Sequence, residues 1–207
     1  MYTLSYWDES IPLRLEEKKE EFSRFKTEEE IQNYLNYVRF IIRHFKDKIE
    51  YYEILNEPDG DIGQFVELDD YIKLVKQVVP VIREEDPKAK IVIGAVCNLR
   101  ESCHYEYLLG ILKSDVMPLV DAVSFHPMSG ASPEYKNLDD YPSIVQDEHY
   151  RKYYYNYPSI VQDIKDTASA HRFKGEYIAE EINYRTQAEF IPTEPWTYSE
   201  MVVAKYY

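Results

Sequence analysis

Apolar residues recur at helical spacing in two long stretches of the chain. The first begins after Thr27, which forms a predicted capping box with Glu30, so that each side chain accepts a hydrogen bond from a free backbone N–H. The second ends at Asp86, because Pro87 disfavours helical geometry in the residue before it. Both stretches predict amphipathic helices that pack against a core. Their apolar positions are Ile31, Tyr34, Leu35, Val38, Ile41, Ile42 and Phe45, and Tyr71, Ile72, Leu74, Val75, Val78, Val79 and Ile82.

Short runs typical of β-strands alternate with these helices. Strands are predicted at 49–55, 90–94, 120–125 and 176–181, and further helices at 105–113, 158–170 and from Ser199 onward. A helix between successive strands implies parallel pairing, because parallel neighbours need a long crossover. No glycine-rich turn follows any strand, so the nucleotide-binding open sheet lacks its phosphate loop. The pattern therefore predicts an α/β fold of the (β/α)8 TIM-barrel type.

The heptapeptide YPSIVQD occurs twice, at 141–147 and at 157–163. A single pair of copies does not make a repeat architecture such as a solenoid. The second copy runs into the helix predicted at 158–170, whereas the first is interpreted as a duplication within a surface loop and is assigned no function.

Composition narrows the function classes. The chain has 207 residues, 44% of them hydrophobic, which suffices for the core of a single domain. A net charge of −14 argues against a nucleic-acid partner, and no apolar run reaches the roughly 20 residues of a membrane span. No N-terminal signal-peptide pattern is present, and the two cysteines exclude a disulfide-built scaffold. Compartment and oligomeric state stay open.

Reactive side chains follow three of the predicted strands. They are Asn56 and Glu57 before Pro58, His126 before Pro127, and the pair at 180 and 181. In a barrel, chemistry takes place at the carboxyl ends of the strands. A glutamate buried at a strand end would have its charged form disfavoured, as a general acid requires, and a second, ionised glutamate could attack an acetal carbon. Two such carboxylates predict cleavage of a glycosidic bond.

Three segments resemble the clan A retaining glycoside hydrolases. YYEILNEPD at 51–59 is similar to their fourth-strand signature, which ends in Asn-Glu-Pro. VDAVSFHP at 120–127 resembles their sixth strand, and EEINYRT at 180–186 resembles the seventh-strand nucleophile segment. The nearest groups are the β-xylosidase and α-iduronidase family and the cellulase-like families. The resemblance covers about residues 2–207, from the end of strand three into helix seven, so we expect one incomplete catalytic domain that lacks strands one, two and eight.

The resemblance implies a role for each of four residues. Glu57 would be the acid/base, Glu181 the nucleophile, Asn56 a hydrogen-bond partner of the sugar 2-hydroxyl, and His126 a group that orients the nucleophile. An oligosaccharide or glycoside would be the substrate, with no metal and no other cofactor. The alternatives are a truncated or non-catalytic barrel remnant that binds carbohydrate without turnover, and an acidic α/β interaction module.

The nucleophile segment leaves a choice between two neighbouring acids. Glu180 stands where the family usually has threonine, and Glu181 is followed by the expected apolar-Asn-Tyr run. Strand alternation predicts that Glu181 shares a face with Tyr177, and Glu180 a face with Ile178. The match downstream favours Glu181.

Two sequence patterns resemble metal-binding sites, but neither is interpreted as one. A calcium loop beginning at Glu57 fails, because its sixth position is Ile62 and its twelfth is Leu68. His104 lies near Cys97 and Cys103 but lacks a fourth ligand close in sequence.

Overall fold

The computed structural model describes residues 1–6, 23–60, 65–127 and 148–181. In these residues a five-stranded parallel sheet, ordered β1-β2-β3-β4-β5, alternates with helices. The strands are β1 (Tyr2–Thr3), β2 (Tyr51–Glu53), β3 (Lys90–Ile93), β4 (Ala122–Phe125) and β5 (Glu176–Ala179). The helices are α1 (Glu28–Phe45), α2 (Leu68–Glu85), α3 (Ser102–Leu112), α4 (Glu148–Tyr155) and α5 (Tyr157–Ala170), with a short 3₁₀ turn at Met117–Leu119.

Strand order confirms the predicted fold class. Each strand pairs in parallel with its successor in the chain, and the order does not reverse between β1 and β5. A doubly wound open sheet reverses its order at a switch point, whereas a barrel does not. The five described strands do not close on themselves, so the fold is part of a (β/α)8 barrel.

The two faces of the sheet differ in chemistry because side chains alternate along each strand. On the face toward the helices, Tyr52, Ile91 and Val123 belong to the buried apolar core. On the opposite face, which is the barrel interior, Glu53 and Ser124 contact each other. Polar side chains therefore occupy the interior side, below the strand ends.

The start of α1 confirms half of the predicted capping box. The Thr27 hydroxyl accepts a hydrogen bond from the Glu30 N–H at 3.2 Å. The Glu30 carboxylate, however, accepts from the Phe25 N–H at 2.6 Å and from the Arg24 guanidinium, so the predicted return bond to Thr27 is wrong. Because Arg24 is 2% exposed, its charge needs a partner, and Glu30 supplies it.

Element boundaries shift by a few residues from those predicted. β2 ends at Glu53, short of Leu55, whose backbone is left-handed with φ 63°. The second YPSIVQD copy forms the first half of α5, whereas the first copy and the helix predicted from Ser199 lie outside the described residues. The helix α4 was not predicted. Among the described helices, none is both long and apolar enough to cross a membrane. The single domain over 1–207 stays a prediction.

Candidate active site

The carboxyl ends of β2, β4 and β5 bring the three predicted segments to one edge of the sheet. The Glu57 N–H donates to the Ala95 carbonyl after β3 at 2.8 Å, and the Glu180 N–H donates to the Phe125 carbonyl at 2.9 Å. These bonds attach the segments that follow β2 and β5 to the neighbouring strands β3 and β4. Asn56 is half-buried beside Glu57 at the same edge.

Backbone geometry changes abruptly at this edge. Glu57 and Glu181 both have φ 46°, and Leu55 and Ala95 have φ 63° and 40°. A left-handed conformation is costly for residues with a Cβ, and such outliers concentrate at ligand-binding and catalytic sites. The main chain therefore turns sharply after β2, β3 and β5, and the turns after β2 and β5 carry the two predicted catalytic glutamates.

The two glutamates meet around His126. The His126 Nδ1 atom lies 3.4 Å from Oε1 of Glu57 and 3.9 Å from Oε2 of Glu181. One carboxylate oxygen of each glutamate and a His126 ring nitrogen all lie within 4.8 Å of one another. The Glu57 side chain is 31% exposed and that of Glu181 45%, so Glu57 is less buried than the sequence predicted.

His126 is the basic residue of this cluster. Its side chain is fully buried, and neither ring nitrogen has a hydrogen-bond partner among the described residues. Burial lowers the pKa of His126, but the contact with Glu57 and the negative charges of Glu181 and Glu53 outweigh burial and raise it above 6.5. The imidazole is therefore held between carboxylates, with polar atoms left for a further contact.

Glu53 belongs to the site although no motif pointed to it. The side chain is fully buried on the interior face and accepts hydrogen bonds from the Ser124 hydroxyl at 2.6 Å and the Thr3 hydroxyl at 3.1 Å. Burial raises its pKa, and the two hydrogen bonds and the His126 charge oppose that rise. The signal in the sequence was a charged residue between Tyr52 and Ile54, inside the strand predicted at 49–55.

Glu180 and Glu181 have different surroundings in the structure. Glu180 directs one buried carboxylate oxygen, without a hydrogen-bond partner in the described part of the chain, toward the interior. Burial and the charge of Glu53 raise the pKa of Glu180 to about 7, with His126 opposing. Glu181, which is more exposed, is the acid that approaches His126.

The face predicted for Glu181 is wrong. Tyr177 packs toward α5, where its hydroxyl donates to the Lys165 carbonyl at 3.4 Å and its ring meets Phe173. Glu181 points instead toward His126, on the interior side. The reason is that β5 ends at Ala179 and residue 181 is left-handed, so strand alternation no longer applies there.

Three groups of side chains in the described residues have the spacing of metal ligands. The first is Glu57, His126 and Glu181, the second is Asp59, Cys97 and His104, and the third is Glu101, Cys103 and His104. The first group also suits acid–base chemistry without a metal: one carboxylate can carry a proton while the other attacks, since a neighbouring imidazolium favours the ionised form of a carboxylate.

Comparison with known proteins finds solved structures with a similar fold. No protein-family model and no curated protein matches the chain. A thermostable mutant of a xylanase from Cellvibrio japonicus matches with a TM-score of 0.51 and 14% identity, over 93% of this chain and 52% of that one. A monomeric β-xylosidase from Caulobacter crescentus CB15 matches with a TM-score of 0.51 and 16% identity, over 86% of this chain and 36% of that one.

The chain spans a fraction of the length of these enzymes. It covers 21% of a family 39 glycoside hydrolase from Bacteroides cellulosilyticus WH2, with 21% identity over 52% of this chain and a TM-score of 0.42. At such identities the likeness establishes the fold, and the fold is that of TIM-barrel glycoside hydrolases.

Proposed function

We propose that this chain carries the acid/base and the nucleophile of a retaining glycoside hydrolase, Glu57 and Glu181 respectively. The observation that carries the proposal is the mutual approach of these two side chains: their nearest oxygens and a His126 nitrogen lie within 4.8 Å of one another. The acids come from different strand ends of a barrel, where catalytic residues of this fold are found.

The distance between the carboxyl groups bears on stereochemistry. Retaining enzymes hold them about 5–5.5 Å apart, whereas inverting enzymes leave about 6.5–9.5 Å for a water molecule. One oxygen of Glu57 and one of Glu181 lie within 4.8 Å of each other, which favours the shorter, retaining separation. The geometry therefore supports direct attack by a carboxylate.

Each step of the proposed reaction uses one of the two acids. Glu57 donates its proton to the glycosidic oxygen while the Glu181 carboxylate attacks the anomeric carbon, so the carbon–oxygen bond to the leaving group breaks and an ester to Glu181 forms. Glu57, now ionised, takes a proton from water, whose oxygen displaces Glu181. This transfer restores the proton on Glu57, and the configuration is retained overall.

His126 and Asn56 would assist from the same edge. The buried His126 lies 3.9 Å from the Glu181 carboxylate, near enough to orient it and to keep it ionised. Asn56 precedes the acid/base and is half-buried, so its amide can serve a sugar hydroxyl. The proposed substrates are β-linked glycosides, with β-xylosides first because the matched structures are a xylanase and a β-xylosidase.

A trapping experiment tests the nucleophile. The chain is incubated with 2-deoxy-2-fluoro β-glycosides that carry a good leaving group, and the intact mass is followed. We expect one glycosyl adduct, mapped by peptide sequencing to Glu181, and none in Glu181→Gln. Glu180→Gln is the matched control and should still be labelled. Label on Glu180 would move the nucleophile by one residue, and turnover with inversion and no adduct would overturn the proposal.

The leaving group tests the acid/base. Glu57→Gln should reduce kcat/KM about 10²–10⁴-fold on substrates with poor leaving groups, and much less on activated aryl glycosides, because the latter need little protonation. Kinetics on an aryl glycoside series check this. A uniform loss across the series would contradict the assignment of Glu57.

A carbohydrate-binding remnant without turnover is the second candidate. The observation that favours it is that the described residues form five of the eight strands of a barrel. Saturable binding of xylo-oligosaccharides in calorimetry, together with no hydrolysis and no adduct, would select this function over the first.

A further inference from the structure

A second cluster of reactive side chains lies next to the proposed acid/base, and its Cys97 thiol interacts with Glu57. Asp59 follows Glu57 by two residues, Cys97 lies in the connection from β3 to α3, and His104 lies in the first turn of α3. A carboxylate oxygen, the thiol sulfur and a ring nitrogen of these residues all lie within 4.8 Å of one another.

We propose that Asp59, Cys97 and His104 form a binding site for a thiophilic divalent cation, with Zn²⁺ as the best fit. Oxygen, sulfur and imidazole nitrogen together form the donor set that zinc prefers, whereas Mg²⁺ and Ca²⁺ take oxygen alone. Three protein ligands leave the fourth tetrahedral position to water. The site involves neither Glu57 nor Glu181 as a ligand, so it stands or falls independently of the proposed hydrolase function.

Burial and hydrogen bonds already orient the ligands. Asp59 is 5% exposed and His104 8%, while Cys97 is half-buried. The Cys97 N–H donates to Oδ1 of Asp59 at 3.0 Å, which turns Oδ2 toward His104 Nδ1 at 2.6 Å. A carboxylate held in this way needs little further ordering to bind a cation.

A carboxylate also lies near the other side of the His104 ring. The other ring nitrogen of His104, Nε2, lies 3.8 Å from a carboxylate oxygen of Glu101. Glu101 is held in turn by its own N–H, which donates to the Asn98 side-chain oxygen at 3.0 Å. Histidines that bind metals usually donate their second N–H to a carboxylate, which fixes the tautomer and the ring orientation.

Metal binding releases one proton from the cluster. Without metal, the His104 Nδ1–H donates to Asp59 and Cys97 is a thiol, because burial and the nearby carboxylates raise its pKa. On binding, the Cys97 proton leaves to solvent and the His104 proton moves from Nδ1 to Nε2, facing Glu101. The separation of Asp59 Oδ2 and His104 Nδ1 must widen to about 3.3 Å, the span of two tetrahedral zinc bonds.

A neighbouring cluster competes for the same histidine. Glu101, Cys103 and His104 also have ligand atoms within 4.8 Å of one another. Cys103 is exposed, however, whereas the first cluster has two buried ligands and an outer-shell carboxylate. We therefore assign the metal to Cys97. The chain has two cysteines, so the two assignments are distinguished by one substitution.

Cobalt is the probe for the experiment. The reduced full chain, stripped with chelator, is titrated with Co²⁺, and the thiolate-to-cobalt charge-transfer absorption in the near ultraviolet is recorded. We expect a saturable band at one equivalent that Zn²⁺ abolishes by displacement. Cys103→Ser should keep the band, which then comes from Cys97, and Cys97→Ser should lose it with an unchanged circular dichroism spectrum.

Substitution of Glu101 or Asp59 should lower the Zn²⁺ affinity to different extents. Glu101→Gln should weaken Zn²⁺ binding about 10–100-fold in competition with a chromophoric chelator, and should leave the band in place. Asp59→Asn should weaken it further. Absence of a saturable band in the unaltered chain, or its loss in Cys103→Ser, would overturn the assignment. If Cys97→Ser does not fold, the Cys103→Ser spectrum decides on its own.

Discussion

At the scale of single residues, the strand-end cluster is governed by competition between burial and charge. His126 is fully buried, which by itself disfavours an imidazolium, yet the nearby carboxylates outweigh burial and raise its pKa. Glu180 shows the opposite outcome, because burial and the charge of Glu53 prevail over the charge of His126 and favour the uncharged acid. Burial therefore decides the protonation state of Glu180, whereas the placement of charges decides that of His126.

Removal of one acid tests this account of His126. We expect Glu181→Gln to lower the pKa of His126, because one of the charges that raise it disappears. NMR titration of the imidazole carbon-bound protons measures the change. Glu176→Gln is the matched control, since Glu176 lies at the other end of β5 and binds Lys90 at 2.7 Å. An unchanged His126 pKa in Glu181→Gln would show that the two groups are not coupled.

Glu180 makes stability depend on pH. Its pKa is about 7 in the fold against an ordinary 4.5, so the folded protein keeps a proton that the unfolded chain releases in this window. The free energy of unfolding should therefore fall as the pH rises from about 4.5 to about 7 and then level off. Glu180→Gln stays uncharged and should flatten this fall, by roughly 1 kcal/mol after allowance for solvent screening of a half-exposed group.

Urea unfolding at a series of pH values measures this effect. Glu84→Gln is the control, because Glu84 is a surface acid of α2 with a 70% exposed side chain. An undiminished fall in Glu180→Gln would mean that another acid is responsible; Glu53, whose pKa burial also raises, is the next to test.

At the scale of elements, α1 shows how a helix start is tied to the rest of the fold. Thr27 caps the first turn, and three acids, Glu28, Glu29 and Glu30, complement the positive end of the helix dipole. The Glu30 carboxylate reaches back to Arg24 and the Phe25 N–H, so it ties the preceding segment to the helix. Thr27 thus supplies the cap of the helix, and Glu30, the other residue of the predicted capping box, supplies the tertiary contact.

Thr27→Ala should lower the free energy of unfolding by about 1 kcal/mol, because the Glu30 N–H loses its side-chain acceptor. Chemical denaturation measures the difference, and Thr27→Ser, which keeps the hydroxyl, is the control. A loss of the same size in both variants would mean that the threonine methyl, rather than the cap, stabilises the helix start.

At the scale of the whole molecule, negative charge is in excess. The net charge of −14 opposes compaction through repulsion, while ion pairs such as those of Lys90 with Glu50 and Glu176 act in the other direction. Exposed pairs contribute little each, so the excess charge should dominate the response to salt.

Raising the NaCl concentration from about 0.02 M to about 0.3 M should therefore increase Tm by a few degrees, since the Debye length shortens and repulsion is screened. Differential scanning calorimetry measures the shift. Sucrose at matched osmolality is the control for effects that do not depend on charge. A fall in Tm with salt would show that the ion pairs outweigh the repulsion.

The sequence by itself determined the fold class and the residues at the strand ends. Helices and strands were predicted from the periodicity of apolar residues, such as the helical stripe from Ile31 to Phe45 and the short β-branched run at 90–94. This periodicity is local, so the prediction requires no information on distant contacts. The alternation of strand and helix then limits the topology, because parallel strands require crossovers. Glu57 and His126 could be located in this way because a strand end is a local feature.

Only the tertiary structure decided which side chains meet. Glu53 contacts Ser124, which lies across β3 and 71 residues later in the chain. Asp59 contacts His104, which lies 45 residues later. The parallel arrangement of the strands brings such distant positions together. The left-handed backbone at Glu181 overrode the alternation that the sequence predicted for its face. Such contacts depend on register and on individual φ angles, and neither is encoded in the periodicity of apolar residues.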